Sequence, residues 1–260
     1  MTPWYERSFG REYLELYAHR DAAEARADIK AIVRLLSPPK DEPLLDLCCG
    51  AGRHLCVLRD LGFGQLVGLD LSEELLHVAA VNLANADGNP EQIPNHVQLV
   101  RSDMRAIPYA NYFATILSLF TSFGYFETDE ENQSVFLAVH RALRPGGRVL
   151  VDYLNRDYVI AHLVERDEKV LPGRHIQNVR CLIGDRRRVE KTITVTTSTG
   201  GKRQFHESVR LYSEAEMVAM LRVAGFIDIH CYGSLDGQAY DPESKRLILV
   251  ARKKIIDHQD

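Results

Sequence analysis

Asp46, Gly50, Gly52 and Asp70 are the residues of this chain whose types and spacing most directly imply chemistry. The acid sits inside an apolar run, Leu44-Leu45-Asp46-Leu47-Cys48, and the glycines open onto a helical pattern that starts at Arg53. Glycine lets a loop backbone approach a ligand closely, because no Cβ stands in the way. A strand–loop–helix unit of this kind puts its loop at the carboxyl ends of the strands, where open α/β sheets bind ligands. Asp70 ends a second apolar run, Leu66-Val67-Gly68-Leu69, where a carboxylate suits a ribose. Two readings compete for this set. A dinucleotide-binding fingerprint is G-x-G-x-x-G with an acid about 20 residues on. Here the third glycine position is Leu55, and Asp46 lies upstream of the first glycine. A carboxylate under a phosphate site repels a pyrophosphate but suits an amino group or a sulfonium. The sign of the charge favours S-adenosylmethionine over a nicotinamide dinucleotide.

Alternating strands and helices must position these residues. After the two runs already named, Val97 to Arg101, Phe113 to Phe120 and Arg148 to Leu154 read as further buried strands. Arg53 to Leu61 and Glu73 to Ala86 read as helices, the second with Ser72 as N-cap and two acids in its first turn. Thr128 with Glu131, and Ser213 with Glu216, are capping boxes for two more. Phe226 to Tyr232 and Leu247 to Arg252 close the sheet, and the long loop from Gly233 to Arg246 invites a functional role. Upstream, Ala22 to Leu36 is amphipathic. Tyr5, Phe9, Tyr13, Leu16 and Tyr17 share one helical face, either a core-packing helix or an aromatic lid.

Residues 155 to 212 break the alternation. Val189 to Thr197 and Phe205 to Leu211 alternate apolar with polar, and Thr199-Gly200-Gly201-Lys202 supplies a hairpin turn between them. Ile176 to Ile183 is a third strand. One face of such an antiparallel insertion is buried and the other meets solvent or a cleft. Arg186-Arg187-Arg188 in its connecting loop reads as a solvated turn rather than an anion site.

The 260 residues suit one α/β domain with an insertion, or two small domains. The division expected is a core of 1–154 with 213–260 and an insertion of 155–212, residues 1–36 forming N-terminal helices. A net charge of −4 with scattered basic residues leaves no footprint for nucleic acid. No apolar run reaches the roughly 18 residues of a membrane span, and the N-terminus lacks the layout of a signal peptide. Cys48, Cys49, Cys56, Cys181 and Cys231 form neither a metal-ligand set nor a disulfide framework. The expectation is a cytoplasmic protein, monomer or homodimer, without a metal.

The run Asp46-Leu47-Cys48-Cys49-Gly50-Ala51-Gly52 resembles the first motif of class I S-adenosylmethionine-dependent methyltransferases. Asp70 resembles the acid that ends their second strand, Ser102-Asp103-Met104 their third motif and Leu117-Ser118-Leu119-Phe120 their fourth. Arg144-Pro145-Gly146-Gly147-Arg148 looks like the turn before strand five. The match covers roughly 40 to 154 and resumes over 213 to 252. It implies a Rossmann-like, doubly wound seven-stranded sheet, mostly parallel with an antiparallel last strand, plus an antiparallel β insertion after strand five. It also implies roles. Gly50 and Gly52 pass under the methionine portion of the cofactor, with Cys48 a small filler of that loop and Asp46 near the amino group. Asp70 accepts the ribose hydroxyls, Asp103 and the Met104 backbone hold the adenine, Leu71 and Met104 wall it, and Leu119 lies beside the methionine portion. Cys49 and His54 read as a loop filler and a helix-surface imidazole.

Methyl transfer from a sulfonium is an in-line displacement in which the cofactor carries the reactive group and the protein aligns and excludes water. Tyr13, Tyr17, Phe123 and Tyr125 are the positioning candidates, with Tyr5, Phe120 and Phe126 in the same aromatic set; aromatic faces attract a cation by about 0.5–2 kcal/mol. Arg20 is either a partner for the cofactor carboxylate or an ordinary surface arginine. The layout resembles small-molecule N-methyltransferases of the glycine and amino-sugar type, so 155 to 212 would line or cover the acceptor pocket, with His175 and His206 as candidate bases. Asn-Pro-Pro-Tyr, used on DNA bases and protein glutamine, is absent after strand four. Three functions stay open: methyl transfer to nitrogen or oxygen of a small molecule, a nicotinamide-dependent oxidoreductase, and a non-catalytic cofactor-binding protein of the same fold. S-adenosylhomocysteine is the expected product of the first.

Overall fold

A computed structural model describes residues 3–10, 14, 16, 22–85, 94 and 96–255. In chain order the elements are α1 (Trp4–Ser8), α2 (Ala22–Leu36), β1 (Leu44–Leu47), α3 (Arg53–Asp60), β2 (Leu66–Asp70), α4 (Glu73–Asn85), β3 (Val97–Arg101) and β4 (Phe113–Ser118). Then come α5 (Asp129–Ala142), β5 (Leu143–Leu154), α6 (Arg156–Ala161), β6 (Arg166–Leu171), β7 (Arg174–Ile183), β8 (Arg188–Thr197) and β9 (Lys202–Arg210). α7 (Glu214–Val223), β10 (Phe226–Tyr232) and β11 (Arg246–Lys253) complete the chain.

One sheet runs β10-β11-β5-β4-β1-β2-β3, with β11 antiparallel to both neighbours and the pairs between β5, β4, β1, β2 and β3 parallel. Strand residues alternate between two cores, as a sheet covered on both faces requires. Leu45, Leu47, Val67, Leu69, Ile116 and Val149 join Phe136 and Val139 of α5 and Met217 and Leu221 of α7. Leu44, Leu66, Leu117 and Leu150 join Ile29 and Ile32 of α2, Leu55 and Leu58 of α3 and Leu76 of α4. Strand order reverses between β1 and β4, and such a switch point opens a crevice at the strand ends. Both capping boxes form, Thr128 with Glu131 and Ser213 with Glu216.

A separate antiparallel sheet, β6-β7-β8-β9, is the insertion. Its outer strand β6 reads Arg-Asp-Glu-Lys-Val-Leu, a charged edge with no alternation to reveal it. A buried arginine joins this sheet to the core. Arg210 Nε donates to Asp129 Oδ1 at 3.1 Å, its NH2 group lies 3.4 Å from Glu216 Oε1, and Tyr212 Oη donates to Asp129 at 2.6 Å. The backbone carbonyl of Arg210 accepts from the fully buried Tyr153 hydroxyl. Of the arginines expected in a solvated turn, Arg188 enters this joint, donating to the Phe126 carbonyl at 2.6 Å, whereas Arg187 stays exposed at its rim, 3.5 Å from Glu216.

The loop from Gly233 to Arg246 is clamped to the core by one side chain. The fully buried Asn155 donates through Nδ2 to the carbonyls of Asp241, Pro242 and Ser244 and accepts from Tyr240 Oη at 3.0 Å. Among the described residues no helix is long and apolar enough to cross a membrane. Asn155→Ala leaves that clamp unmade and should lower stability by about 1–3 kcal/mol. Urea unfolding measures it, and an unchanged midpoint would show that the loop holds itself.

Candidate active site

A cleft of about 840 Å³ opens where β1, β2 and β4 end. Asp46, Cys48, Gly50, Asp70, Leu71, Met104 and Leu119 line it, and Tyr5 and Tyr125 border it from α1 and the loop after β4. Asp46 occupies a β1 position flanked by leucines, paired across the sheet with Gly68 and Leu117. It is 1% exposed, and its Oδ2 has no hydrogen-bond partner. Burial, with repulsion from Asp70 and a partial offset from Arg53, pushes its pKa up to about 7. A buried acceptor left unpaired is costly, and a cationic donor entering the cleft would relieve it.

The loop after β1 is held by backbone geometry. Gly50 has φ +54° and donates its N–H to Asp70 Oδ2 at 2.8 Å, and a Cβ there would meet nothing within 4 Å. Its open side is where a ligand can lie against the backbone. Gly52 (φ +75°) is not on the cleft wall; a Cβ there would stand 3.0 Å from Ala79 Cβ, so this glycine lets α4 pack against the loop. Asp70 accepts a second N–H, from Ser72 to Oδ1 at 2.9 Å, and keeps unused lone pairs on both oxygens. Burial raises its pKa against the pull of these bonds. Burial likewise pushes the Cys48 and Cys49 thiols well up, so both are neutral fillers.

Several residues fall elsewhere than expected. Phe123 is in the core, 1% exposed and stacked on Phe136 with ring centroids 4.4 Å apart, so it cannot touch a ligand in the cleft. Asp103 also lies off the wall. Its carboxylate takes both Nε and an NH2 of Arg105, at 3.1 and 2.7 Å, and caps the short 3-10 turn Met104–Ala106. Against burial that would raise it, the Arg105 bonds hold its pKa below the usual range. Tyr13, Tyr17 and Arg20 lie outside the described residues. His175 pairs with Glu168 at 2.7 Å and His206 lies 3.7 Å from Glu190; neither lines the cleft, nor does any residue of 155–212. The insertion instead backs α1, whose Ser8 Oγ donates to the His206 carbonyl at 2.7 Å. Trp4 and Phe9 flank Tyr125, with ring centroids 5.2 and 5.5 Å away.

Phe120, one of the aromatic candidates, lines the wall, and so do Arg53 and His54, which carry no such expectation although they follow Gly52 directly. His54 is buried rather than on a helix surface. Its Nε2 faces Asp28 Oδ2 of α2 at 4.0 Å, and both atoms lack a hydrogen bond. Burial, helped by Arg53, pushes the imidazole down to about 3, so it is neutral and the contact is not an ion pair. Burial and Glu24 push Asp28 up to about 6. Among the described residues no group of His, Cys, Asp and Glu could hold a metal ion.

Comparison with known proteins gives concordant results. The profile of a family described as a methyltransferase domain matches residues 44–147. The dTDP-3-amino-3,4,6-trideoxy-alpha-D-glucopyranose N,N-dimethyltransferase of Streptomyces venezuelae is 31% identical over 216 residues, covering 79% of this chain and 84% of that relative. The crystal structure of Streptomyces venezuelae DesVI is similar, with a TM-score of 0.64 and 26% identity, covering 93% of this chain and 96% of that one. The S-adenosylmethionine-bound CalS10, an amino pentose methyltransferase from Micromonospora echinaspora, shares the fold at a TM-score of 0.65 and 23% identity, covering 94% and 97% of the two chains.

The raised Asp46 pKa has a measurable consequence. Its contribution to stability is fully present below the ordinary carboxylate range, about pH 4, and is lost as pH rises through about 7. Asp46→Asn should therefore show a smaller fall in urea midpoint between those limits than the parent protein. Parallel pH profiles would mean that Asp46 ionises normally.

Proposed function

Because this chain belongs to the class I S-adenosylmethionine-dependent methyltransferases, we propose that it transfers a methyl group from that cofactor to the nitrogen of a small-molecule amine. The observation that carries the reading is the unpartnered Oδ2 of buried Asp46 on the cleft wall. Its chemistry fits the amino group of the cofactor's methionine portion, and it would repel the pyrophosphate of a dinucleotide. Asp70 would hold the ribose hydroxyls with the lone pairs that Gly50 and Ser72 leave free. Leu71 and Met104 would wall the adenine, and Cys48, Gly50 and Leu119 would flank the methionine portion. When bound, the cofactor supplies an electrophilic methyl group on a sulfonium.

The chain's own residues then align and exclude water. Tyr5 and Tyr125 close the cleft from the side of α1, and Tyr13 and Tyr17 belong to the same stripe in the sequence. Alignment of this kind is worth up to ~7–11 kcal/mol of a barrier. The Streptomyces venezuelae relative is named for N,N-dimethylation of an amino sugar, which favours an amine over a hydroxyl acceptor here. Residues 155–212 would act as the platform behind α1, and 1–154 with 213–260 as the cofactor-binding core. All five cysteines are unpaired, which suits a reducing compartment, and a cytoplasmic location is part of the same reading.

Calorimetry with S-adenosylhomocysteine and with NADH tests the cofactor, and turnover of labelled methyl groups against a pool of small amines tests the transfer. Binding of NADH without any response to S-adenosylhomocysteine would end the reading; binding without turnover on any amine would leave a non-catalytic protein. Asp70→Ala should weaken S-adenosylhomocysteine at least about 100-fold, two charge-assisted hydrogen bonds contributing about 1.5–3 kcal/mol each. Unchanged affinity would remove Asp70 from the site.

A further inference from the structure

The chain leaves β4 through two consecutive residues with left-handed backbone, Phe120 (φ 56°) and Thr121 (φ 59°). Neither is glycine, and Thr121 is β-branched. Each such residue is strained and persists only where the surroundings over-determine it. Here one residue of the neighbouring strand supplies both restraints. Asp152 of β5 accepts the Phe120 N–H on Oδ2 at 3.0 Å and the Thr121 N–H on its backbone carbonyl at 2.9 Å. Its other carboxylate oxygen is taken by Arg246, the first residue of β11, whose Nε donates at 2.7 Å. The Arg246 NH2 group stands 2.5 Å from the same oxygen without an aligned hydrogen bond, and the Nε hydrogen bond orients the carboxylate. Asp152 is 4% exposed, and neither partner of the pair lines the cleft.

What the turn positions is on the cleft wall. Leu119, Phe120 and Ser122 all line it, and Ser122 Oγ closes the turn by donating to the Leu119 carbonyl at 2.8 Å. The Phe120 ring meets the start of α3: the Arg53 guanidinium lies 4.0 Å from its centroid, and the His54 ring stacks on it at 5.6 Å. Those two residues immediately follow the glycine loop. The ring therefore links the turn after β4 to the helix that fixes Gly50 and Gly52.

We propose that Asp152 and Arg246 form a positioning pair for the cofactor pocket, holding the Phe120–Thr121 turn in its left-handed form and, through the Phe120 ring, fixing the wall opposite the glycine loop. The pair acts through Phe120 and touches no ligand itself. This assignment rests on the methyl-transfer reading and deepens it.

Calorimetric affinity for S-adenosylhomocysteine tests the pair without knowledge of the acceptor. Asp152→Ala should weaken binding at least 10-fold. The backbone carbonyl of residue 152 still accepts from the Thr121 N–H in that variant, so Thr121→Gly placed there should recover threefold or more by lowering the strain of the two-residue left-handed turn as a whole, glycine adopting a positive φ without a Cβ penalty. A residue that only stabilised the fold would lower the unfolding midpoint but show no such rescue. Should Asp152→Ala fail to fold, Asp152→Asn keeps an acceptor for the Phe120 N–H while losing the charge that Arg246 meets, and it should weaken binding threefold or more, again with partial rescue by Thr121→Gly. If the parent protein binds S-adenosylhomocysteine and the folded variants bind equally well, or if Thr121→Gly restores nothing, the pair has no positioning role and the methyl-transfer reading stands. If the parent protein itself does not bind, both fall.

Discussion

A carboxylate among leucines is the constraint on which this molecule turns. Asp46 stands on the strand face that Leu44, Leu66, Leu117 and Leu150 otherwise fill, and one of its oxygens meets no donor. A fold gains nothing from such a group by itself, since an apolar residue there would remove a desolvation cost. The neighbourhood is arranged around it nonetheless. Asp70 repels it, Arg53 partly offsets the repulsion, and the loop that follows bends away through Gly50 instead of donating to it. The ligand implied is one that brings its own positive charge, and this requirement separates an aminoacyl sulfonium from a dinucleotide before any relative is considered.

The same logic explains the missing third glycine. In a dinucleotide fold that glycine lets helix and strand approach each other. Here the exchange runs the other way. A Cβ on Gly68 of β2 would fall 2.5 Å from Leu55 Cδ1 and 2.9 Å from Cys49 Sγ. The strand carries the glycine and the helix carries the large side chain, so α3 still seats closely on β2. Gly52 provides the second close approach, against Ala79 of α4. The loop is thus wedged between two helices and a strand, and only Gly50 is left facing open space.

Whatever was fixed by regular periodicity could be read from the chain; whatever depended on irregular backbone could not. Strands β2, β3 and β10 fall on the residues their apolar runs mark, and both capping boxes close as spaced. The edge strand β6 escapes because its residues are mostly charged, and α6 because it is barely two turns long. Phe123 and Tyr125 show the limit most sharply. They lie two residues apart in one loop, yet the first packs into the α5 core and the second faces the cleft. Gly124 (φ +85°) stands between them, the left-handed turn at Phe120–Thr121 lies just upstream, and nothing in the residue types announces two consecutive positive φ angles at a phenylalanine and a threonine. His54 is a similar case: the helical pattern allows it a surface position, but α2 packs over α3 and buries it opposite Asp28.

Polar groups in the interior are distributed in two opposite ways. At the joint between the sheets, Arg210, Asp129, Glu216, Tyr212 and Tyr153 satisfy one another many times over. Around the cleft, Asp46, His54 and Asp28 each keep a buried atom without a hydrogen bond. Buried polar groups are normally paired, so a saturated network marks a place that must keep its shape, and the unpaired oxygen of Asp46 on the cleft wall marks a place built for a partner that arrives. The joint ties β9, against which α1 packs, to α5 and α7, while the cleft retains the electrostatic deficit that a charged cofactor can fill. Rigidity and binding capacity are thereby kept in separate parts of the molecule, with the Phe120 turn at the boundary between the restrained backbone and the open wall.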